Sequence, residues 1–421
     1  MRILLATIGS LGDLHPYVAV ARALKARGAD PVVASAPEYR ADVEGAGIGF
    51  APVGPGFSHF GDYRTLLQRL FDARHGTRFL IREVVMPLLR PTYDDLARAA
   101  EGASLLVSHP LTLPLPIVAQ QKRLPWAATV LAPANFLSTW DPPLIAGAEW
   151  MRGVRRLGRA PYRLLFGLAA MQLRRWEAPY RALRRELGVP PLKGLAMLDG
   201  QFSPCLNLGL FDAALAAPQP DWPPHTRITG APLHDGVSQS ADIAVLDEFL
   251  RAGEPPLVFA LGSSAVWVAG DFWRHAVAAT LALRRRAVLI TGRDTPLPAN
   301  LPAQVRAFGY LPYSMIFPRA AAVIHQAGIG TLSQALRGAR PQLIVPFAFD
   351  QPDNALRASR LGLARVLPLK KLGAATLAHE LGALLETPAY ARKARQVARD
   401  LQAVNGAGRA ADELLKLGES R

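Results

Sequence analysis

Short apolar runs recur along the chain, most of them separated by segments long enough for helices. RILLATI opens the series, and after a Gly-Ser loop HPYVAVARALKARG has the rhythm of an amphipathic helix, with Gly28 as its terminator. DPVVAS, SLLVSH, WAATVLA, CLNLGL and TRITG continue as strands, and a long Arg-rich helical stretch separates WAATVLA from CLNLGL. After TRITGAPLHDG the rhythm restarts with PLVFALGSS, AVLITG, VRAFGY, AAVIHQ, PQLIVPF and ARVLPL. Strands alternating with helices predict parallel sheets covered on both faces. The pattern therefore predicts an α/β chain of two Rossmann-like parallel-sheet domains facing across a cleft. The expected boundaries are a first domain over 1–230, a linker over 231–242 and a second domain over 243–395. A helical tail, patterned from Ala389 to Leu417, is expected to pack residues 396–421 back on the first domain.

The length of 421 residues and a hydrophobic fraction of 50% suit two ordinary cores rather than a disordered chain. The one cysteine, Cys205, excludes an internal disulfide framework, favours a reducing compartment and is expected to fill core. No run approaches the roughly twenty apolar residues of a membrane span, and MRILLATIGSLGD lacks a small-residue cleavage site. A cytoplasmic location is expected. Formal net charge is +15, concentrated in MRGVRRLGRAPYRLLFGLAAMQLRRWEAPYRALRREL. That stretch reads either as a solvated helical face or as a surface drawn to anionic lipid headgroups at the inner membrane face. No recognition motif accompanies the charge, so nucleic acid is not an expected partner.

In doubly wound sheets, ligands bind where strand ends meet helix N-termini. The residues there are Gly9 to His15, His109, Gly262 to Ser264, Gly292 to Asp294, Tyr310, His325 to Thr331 and Phe347 to Asn354. In AAVIHQAGIGTLSQAL, Gly328 and Gly330 are expected to take conformations closed to other residues and bring backbone close to a ligand. The helix that follows offers unpaired N–H groups and a positive dipole end to an anion. His325 and Thr331 can donate hydrogen bonds, and Gly262, Ser263 and Ser264 can form a second wall. One strand later, PFAFDQPDNA places Asp350 and Gln351 where they could hold sugar hydroxyls, although Asp350 equally reads as a helix cap. Together these features favour a nucleotide sugar, with its phosphates toward His325 and its hexose toward Asp350.

HQAGIGT followed by PFAFDQPDN resembles the donor signature of GT-B-fold, family-one glycosyltransferases, and GSLGDLHPYVAVARAL resembles their N-terminal acceptor-side motif. QPDWP, TGAPLHDG, LVFALGSS and GDFW are similar to the rhamnolipid rhamnosyltransferase branch and its sterol-glucosyltransferase-like relatives. The resemblance implies that His325, Gly330, Thr331, Ser263 and Ser264 contact the diphosphate, with Gly328 in the same donor turn. It further implies that Asp350 and Gln351 hold the sugar and that Tyr310 meets the base, with Leu311 beside it as a further donor-binding residue. Where the commoner motif has His-Gly, this chain has Gln326-Ala327, and the acidic residue that plant members direct at the ribose falls at Ser333.

An inverting transfer needs a base for the acceptor hydroxyl. Many family members use the His of Gly-His-x-x-Pro, and here Asp13 holds that position in Gly12-Asp13-Leu14-His15-Pro16. A carboxylate is a weak base unless burial raises its pKa, which a closed cleft is expected to do. His15 could assist or substitute, His109 could hydrogen-bond Asp13, and Asp13 also reads as a cap of the following helix. No metal-ligand constellation appears, so metal-independent chemistry is expected, with the nucleotide sugar (UDP-glucose or dTDP-rhamnose type) as co-substrate rather than cofactor. Phe57, His59, Phe79, Phe136, Trp140 and Trp150 are expected to line a site for a hydrophobic or lipid-like acceptor. The rivals are a nucleotide-sugar 2-epimerase and a non-catalytic nucleotide- or lipid-binding regulatory homologue.

Overall fold

Thirteen short strands and the helices between them form two compact units in the computed structural model, which describes residues 1–148, 150–236, 239–293, 295 and 300–419. Unit 1 comprises Met1–His234 with Asn405–Arg421, and unit 2 comprises Asp235–Val404.

In unit 1, β1 (Arg2–Ala6), β2 (Asp30–Ser35), β3 (Gly49–Pro52), β4 (Leu105–Ser108), β5 (Trp126–Val130), β6 (Leu206–Gly209) and β7 (Thr226–Ile228) form one parallel sheet. Its order is β3-β2-β1-β4-β5-β6-β7. Register pairs Ala6 with both Ala34 and Ser108, so the ends of β1 and β4 lie side by side. The central strands β4 and β5 are buried throughout and β1 from Ile3 to Ala6, as strands covered on both faces must be. GFAP, which becomes β3, escapes the apolar-run reading because Gly49 and Pro52 leave only two apolar residues between them on this exposed edge strand. Cys205 corrects another expectation. It lies just before β6 and is exposed, with its N–H on Ser203 Oγ, so it fills no core.

Unit 2 holds β8 (Leu257–Ala260), β9 (Ala287–Ile290), β10 (Val305–Phe308), β11 (Ala322–His325), β12 (Gln342–Ile344) and β13 (Ala364–Val366), all parallel in the order β10-β9-β8-β11-β12-β13. The ends of β8, β11 and β12 align, with His325 opposite Ala260 and Ile344. The chain leaves unit 2 later than position 396. The helix Pro388–Gln402 still packs on unit 2, against the helix Ile329–Arg337, and the return to unit 1 begins only at Asn405. The helix Gly406–Glu419 then lies along the helix Leu11–Lys25, with Asp412 2.7 Å from Arg27. A Cβ at Gly406 would stand 2.5 Å from the Gly230 carbonyl, so the contact needs glycine.

Candidate active site

Each sheet reverses strand order once beside its first strand, and a ligand crevice forms at such switch points. In unit 1 the reversal lies between β1 and β4, which brings the Gly9–Asp13 loop beside His109. Ser10 caps the helix Leu11–Lys25. Its hydroxyl accepts from Gly12 N–H, and Asp13 Oδ2 accepts in return from Ser10 N–H at 2.7 Å and from its hydroxyl at 3.0 Å. A Cβ on Gly9, whose φ is +145°, would overlap the Asp13 carboxylate, so this backbone requires glycine. The cap occupies one carboxylate oxygen. The other, Oδ1, stands 3.3 Å from His109 Nε2.

The His109 ring is buried and oriented from behind, because its Nδ1 accepts from Leu111 N–H at 3.2 Å. In the neutral ring the proton then sits on Nε2, facing Asp13. Burial pushes the Asp13 pKa up, but the hydrogen bonds of His109 and Ser10 to the carboxylate outweigh it. The carboxyl consequently lies below its ordinary value, a correction to the expectation that burial would raise it. His15 does not join the pair. Two residues on, it points from a different helix face, and its ring packs edge-on against His234 at 5.2 Å.

The aromatic residues separate by location. Phe57 packs between Tyr39 and Tyr63, and the Tyr39 hydroxyl donates to Gly9 O at 3.0 Å, which ties this cluster to the Asp13 loop. His59 packs on Phe60, and Phe79 lies beneath the Arg69 guanidinium. Phe136 is a correction. It is buried, stacked 4.0 Å from Trp222 and packed against Phe202 and Phe211, and so belongs to the core. Trp140 is exposed beneath Arg159, and Trp150 is exposed. Tyr39 and Ser10 were not singled out in the sequence; GSLGD, with Asp three residues after Ser, was the available sign of the cap.

In unit 2 the reversal lies between β8 and β11, where Gly262–Ser264 meets His325–Thr331. The helix Ile329–Arg337 begins at Gly328 with no side-chain cap, so its first N–H groups stay open to an anion. The left-handed backbone falls on Ala327 (φ +65°) and Gly262 (φ +67°), and not on Gly328 or Gly330 as expected. At Gly330 a Cβ would meet nothing within 4 Å, leaving open space over the helix mouth. At Gly262 it would lie 2.5 Å from Gln326 Nε2, so the Gln326 side chain bridges the two turns.

His325 corrects the expectation of a phosphate donor. It is fully buried, its Nδ1 accepts from Ala327 N–H at 3.1 Å, and Nε2 faces Gln342 Oε1 at 3.0 Å. Burial lowers its pKa to about 4, so the ring is neutral, with one nitrogen committed to the turn and the other to the neighbouring strand β12. Thr331 is buried, and burial beside it pushes the Tyr313 hydroxyl well above its ordinary pKa. Ser263 and Ser264 sit half-buried in the first turn after β8.

Asp350 precedes the helix Gln351–Arg360 without capping it through its side chain. Its Oδ2 accepts from Asn354 Nδ2 at 2.6 Å, and the same nitrogen donates to Ala327 O at 2.9 Å. Asn354 thus joins the two signature loops. Gln351 Oε1 is taken by the N–H groups of Phe347 and Ala348, which leaves its amide nitrogen as the group to offer a ligand. Tyr310 accepts from Gly236 N–H at 2.6 Å and carries the Arg293 guanidinium 4.3 Å over its ring. Leu311 is a further correction, since its side chain is fully buried in the unit 2 core. Asp294 lies outside the described residues. Among the described residues no three His, Cys, Asp or Glu side chains converge as metal ligands would.

Comparison with known proteins agrees with this layout. Residues 3–87 match the glycosyltransferase family 28 N-terminal domain, and residues 279–416 match the erythromycin biosynthesis protein CIII-like C-terminal domain. O-mycaminosyltylonolide 6-deoxyallosyltransferase of Streptomyces fradiae is 31% identical, with 96% of this chain and 95% of that protein aligned. A sterol 3-beta-glucosyltransferase of Aspergillus oryzae is 26% identical over 96% of this chain but only 29% of its own length. Among solved structures, the glycosyltransferase VinC in complex with dTDP superposes with a TM-score of 0.71 at 20% identity, covering 100% of both chains.

Proposed function

The chain belongs to the GT-B-fold, family-one glycosyltransferases, and from that premise we propose that it transfers a hexose with inversion from a dTDP-sugar to a hydroxyl of a hydrophobic small-molecule acceptor. The names of a 6-deoxyallosyltransferase relative and of a dTDP-bound structural neighbour support the donor class. The aromatic cluster of Tyr39, Phe57 and Tyr63 beside the Gly9 loop supports an apolar acceptor.

One observation carries the reading. At the switch point of unit 1 a carboxylate is kept ionised, one oxygen held by Ser10 and the other turned to His109. In the proposed step the acceptor oxygen attacks the anomeric carbon as the bond to the diphosphate oxygen breaks, and that electron pair leaves with dTDP. The acceptor proton passes to Asp13. Because the carboxylate is a weak base, proton transfer keeps pace with C–O bond formation rather than preceding it. The open N–H groups at the helix mouth of Ile329–Thr331, with Ser263 and Ser264, stabilise the charge gathering on the leaving diphosphate. Gln351, through its amide nitrogen, and Asp350 orient the sugar.

The test pairs dTDP- and UDP-sugars with aromatic and polycyclic alcohols and identifies products by mass spectrometry. A glycosylated acceptor formed from a dTDP-sugar by the native chain and lost in Asp13→Asn supports the reading. An isomerised donor, or binding of donor with no product from any acceptor, overturns it.

A further inference from the structure

The helix Ala160–Trp176 has two apolar faces. One packs inward, where Tyr162 is buried and Leu173 and Trp176 lie against a core cluster that includes Tyr180 and Leu183. The other has no cover. Leu164, Leu168 and Met171 recur at the spacing that stacks side chains on one helix face, and they are 66%, 50% and 61% exposed. Leu157 and Trp150, on the approach to this helix, are exposed as well. Single exposed leucines need no explanation, but a helix apolar on opposite faces is ordinarily covered on both.

Charge indicates what covers it. From Met151 to Trp176 the chain carries seven arginines and no Asp or Glu. Arg155 pairs with Asp141, and Arg159 lies over Trp140. Arg152, Arg156, Arg163, Arg174 and Arg175 are exposed, with no acidic partner among the described residues. Arg163 and Arg174 flank the stripe, and Arg175 continues it one turn past Met171. A second copy of the chain would oppose arginines to arginines across a symmetric contact. A neutral apolar ligand would leave them unmatched.

We propose that this helix is an interfacial anchor that lies in the headgroup layer of an anionic lipid bilayer. Leu164, Leu168 and Met171 enter the acyl boundary while Arg163, Arg174 and Arg175 meet lipid phosphates. The anchor lies on the bilayer rather than through it, since no helix among the described residues is long and apolar enough to cross. The inference goes beyond the proposed transfer reaction and does not depend on it.

The experiment floats the full chain with vesicles of phosphatidylcholine alone or mixed with phosphatidylglycerol, at low and high salt. The native chain binds the mixed vesicles at low salt and not the neutral ones. L164Q/L168Q/M171Q and R174E/R175E each weaken binding by about tenfold or more, with unchanged circular dichroism because the altered side chains are exposed. The proposal is overturned by no binding to anionic vesicles, by equal binding to neutral ones, or by binding that neither variant weakens. It is equally overturned if light scattering shows a native dimer that the apolar variant dissolves, since the stripe then seats a second copy.

Discussion

Asp13 does two things with two oxygens. Oδ2 closes the capping box with Ser10, and Oδ1 faces His109, so the capping role and the proposed base role coexist in one side chain. Asp13→Asn keeps the cap geometry and removes the base, and it should lower kcat by about a hundred- to ten-thousand-fold with nucleotide affinity unchanged, as measured by steady-state kinetics and calorimetry. The carboxylate is active when ionised, and His109 helps hold its pKa down. Activity governed by Asp13 should therefore fall only when pH drops through a value below the ordinary carboxylate range. His109→Gln should move that acid limb to higher pH, because it removes the imidazole that helps hold the Asp13 pKa down. An unchanged kcat/KM profile in this variant would count against the pairing.

At the level of the strand-turn-helix element, the donor turn is held from three sides. His325 Nδ1 accepts from Ala327 N–H, Asn354 Nδ2 donates to Ala327 O, and Gln326 reaches over Gly262. Asn354→Ala leaves the Ala327 carbonyl without its buried donor, a loss of about 1–3 kcal/mol. That should appear as weaker dTDP binding in calorimetry, together with a lower urea midpoint for unit 2. Ala327 adopts a left-handed conformation that an L side chain resists. Ala327→Gly should consequently stabilise the chain by up to about 1 kcal/mol while nucleotide binding persists; a clear loss of stability would show that the buried methyl matters more than the strain.

Across the whole molecule, protonation and the chain's return path set stability. His325 is neutral when folded, with a pKa lowered to about 4, while an unfolded histidine titrates near 6.5. Between those values the unfolded chain takes up a proton that the folded chain refuses. Stability should therefore drop as pH falls from about 6.5 to about 4, by an amount on the order of 3 kcal/mol for this residue. Urea titrations of the native chain and His325→Asn across that window test it: the variant should show a shallower dependence. Removing residues 405–421 strips unit 1 of a helix whose Ala410, Ala411 and Leu414 are buried, and should lower its melting temperature. Gly406→Val should do the same through collision with Gly230.

Apolar runs and their spacing determined the α/β class and the positions of twelve of the thirteen strands, most plainly at the sheet centres, where strands buried on both faces must be apolar. β3 escaped, being a half-exposed edge. The strand-end rule marks Asp13, His109, Thr331 and Asp350 from sequence, since polar groups at those ends serve either caps or ligands. Tertiary structure alone decided which use each one has. Pairing of β1 with β4 put His109 against Asp13 across a long gap in sequence and turned the expected rise in pKa into a fall. Packing consumed both nitrogens of His325 and sent Phe136 and Leu311 into cores, while Cys205 and the Leu164 stripe stayed outside. Burial and hydrogen-bond partners are sums over neighbours distant in the chain, so local pattern fixes where a side chain sits along an element but not what it meets there.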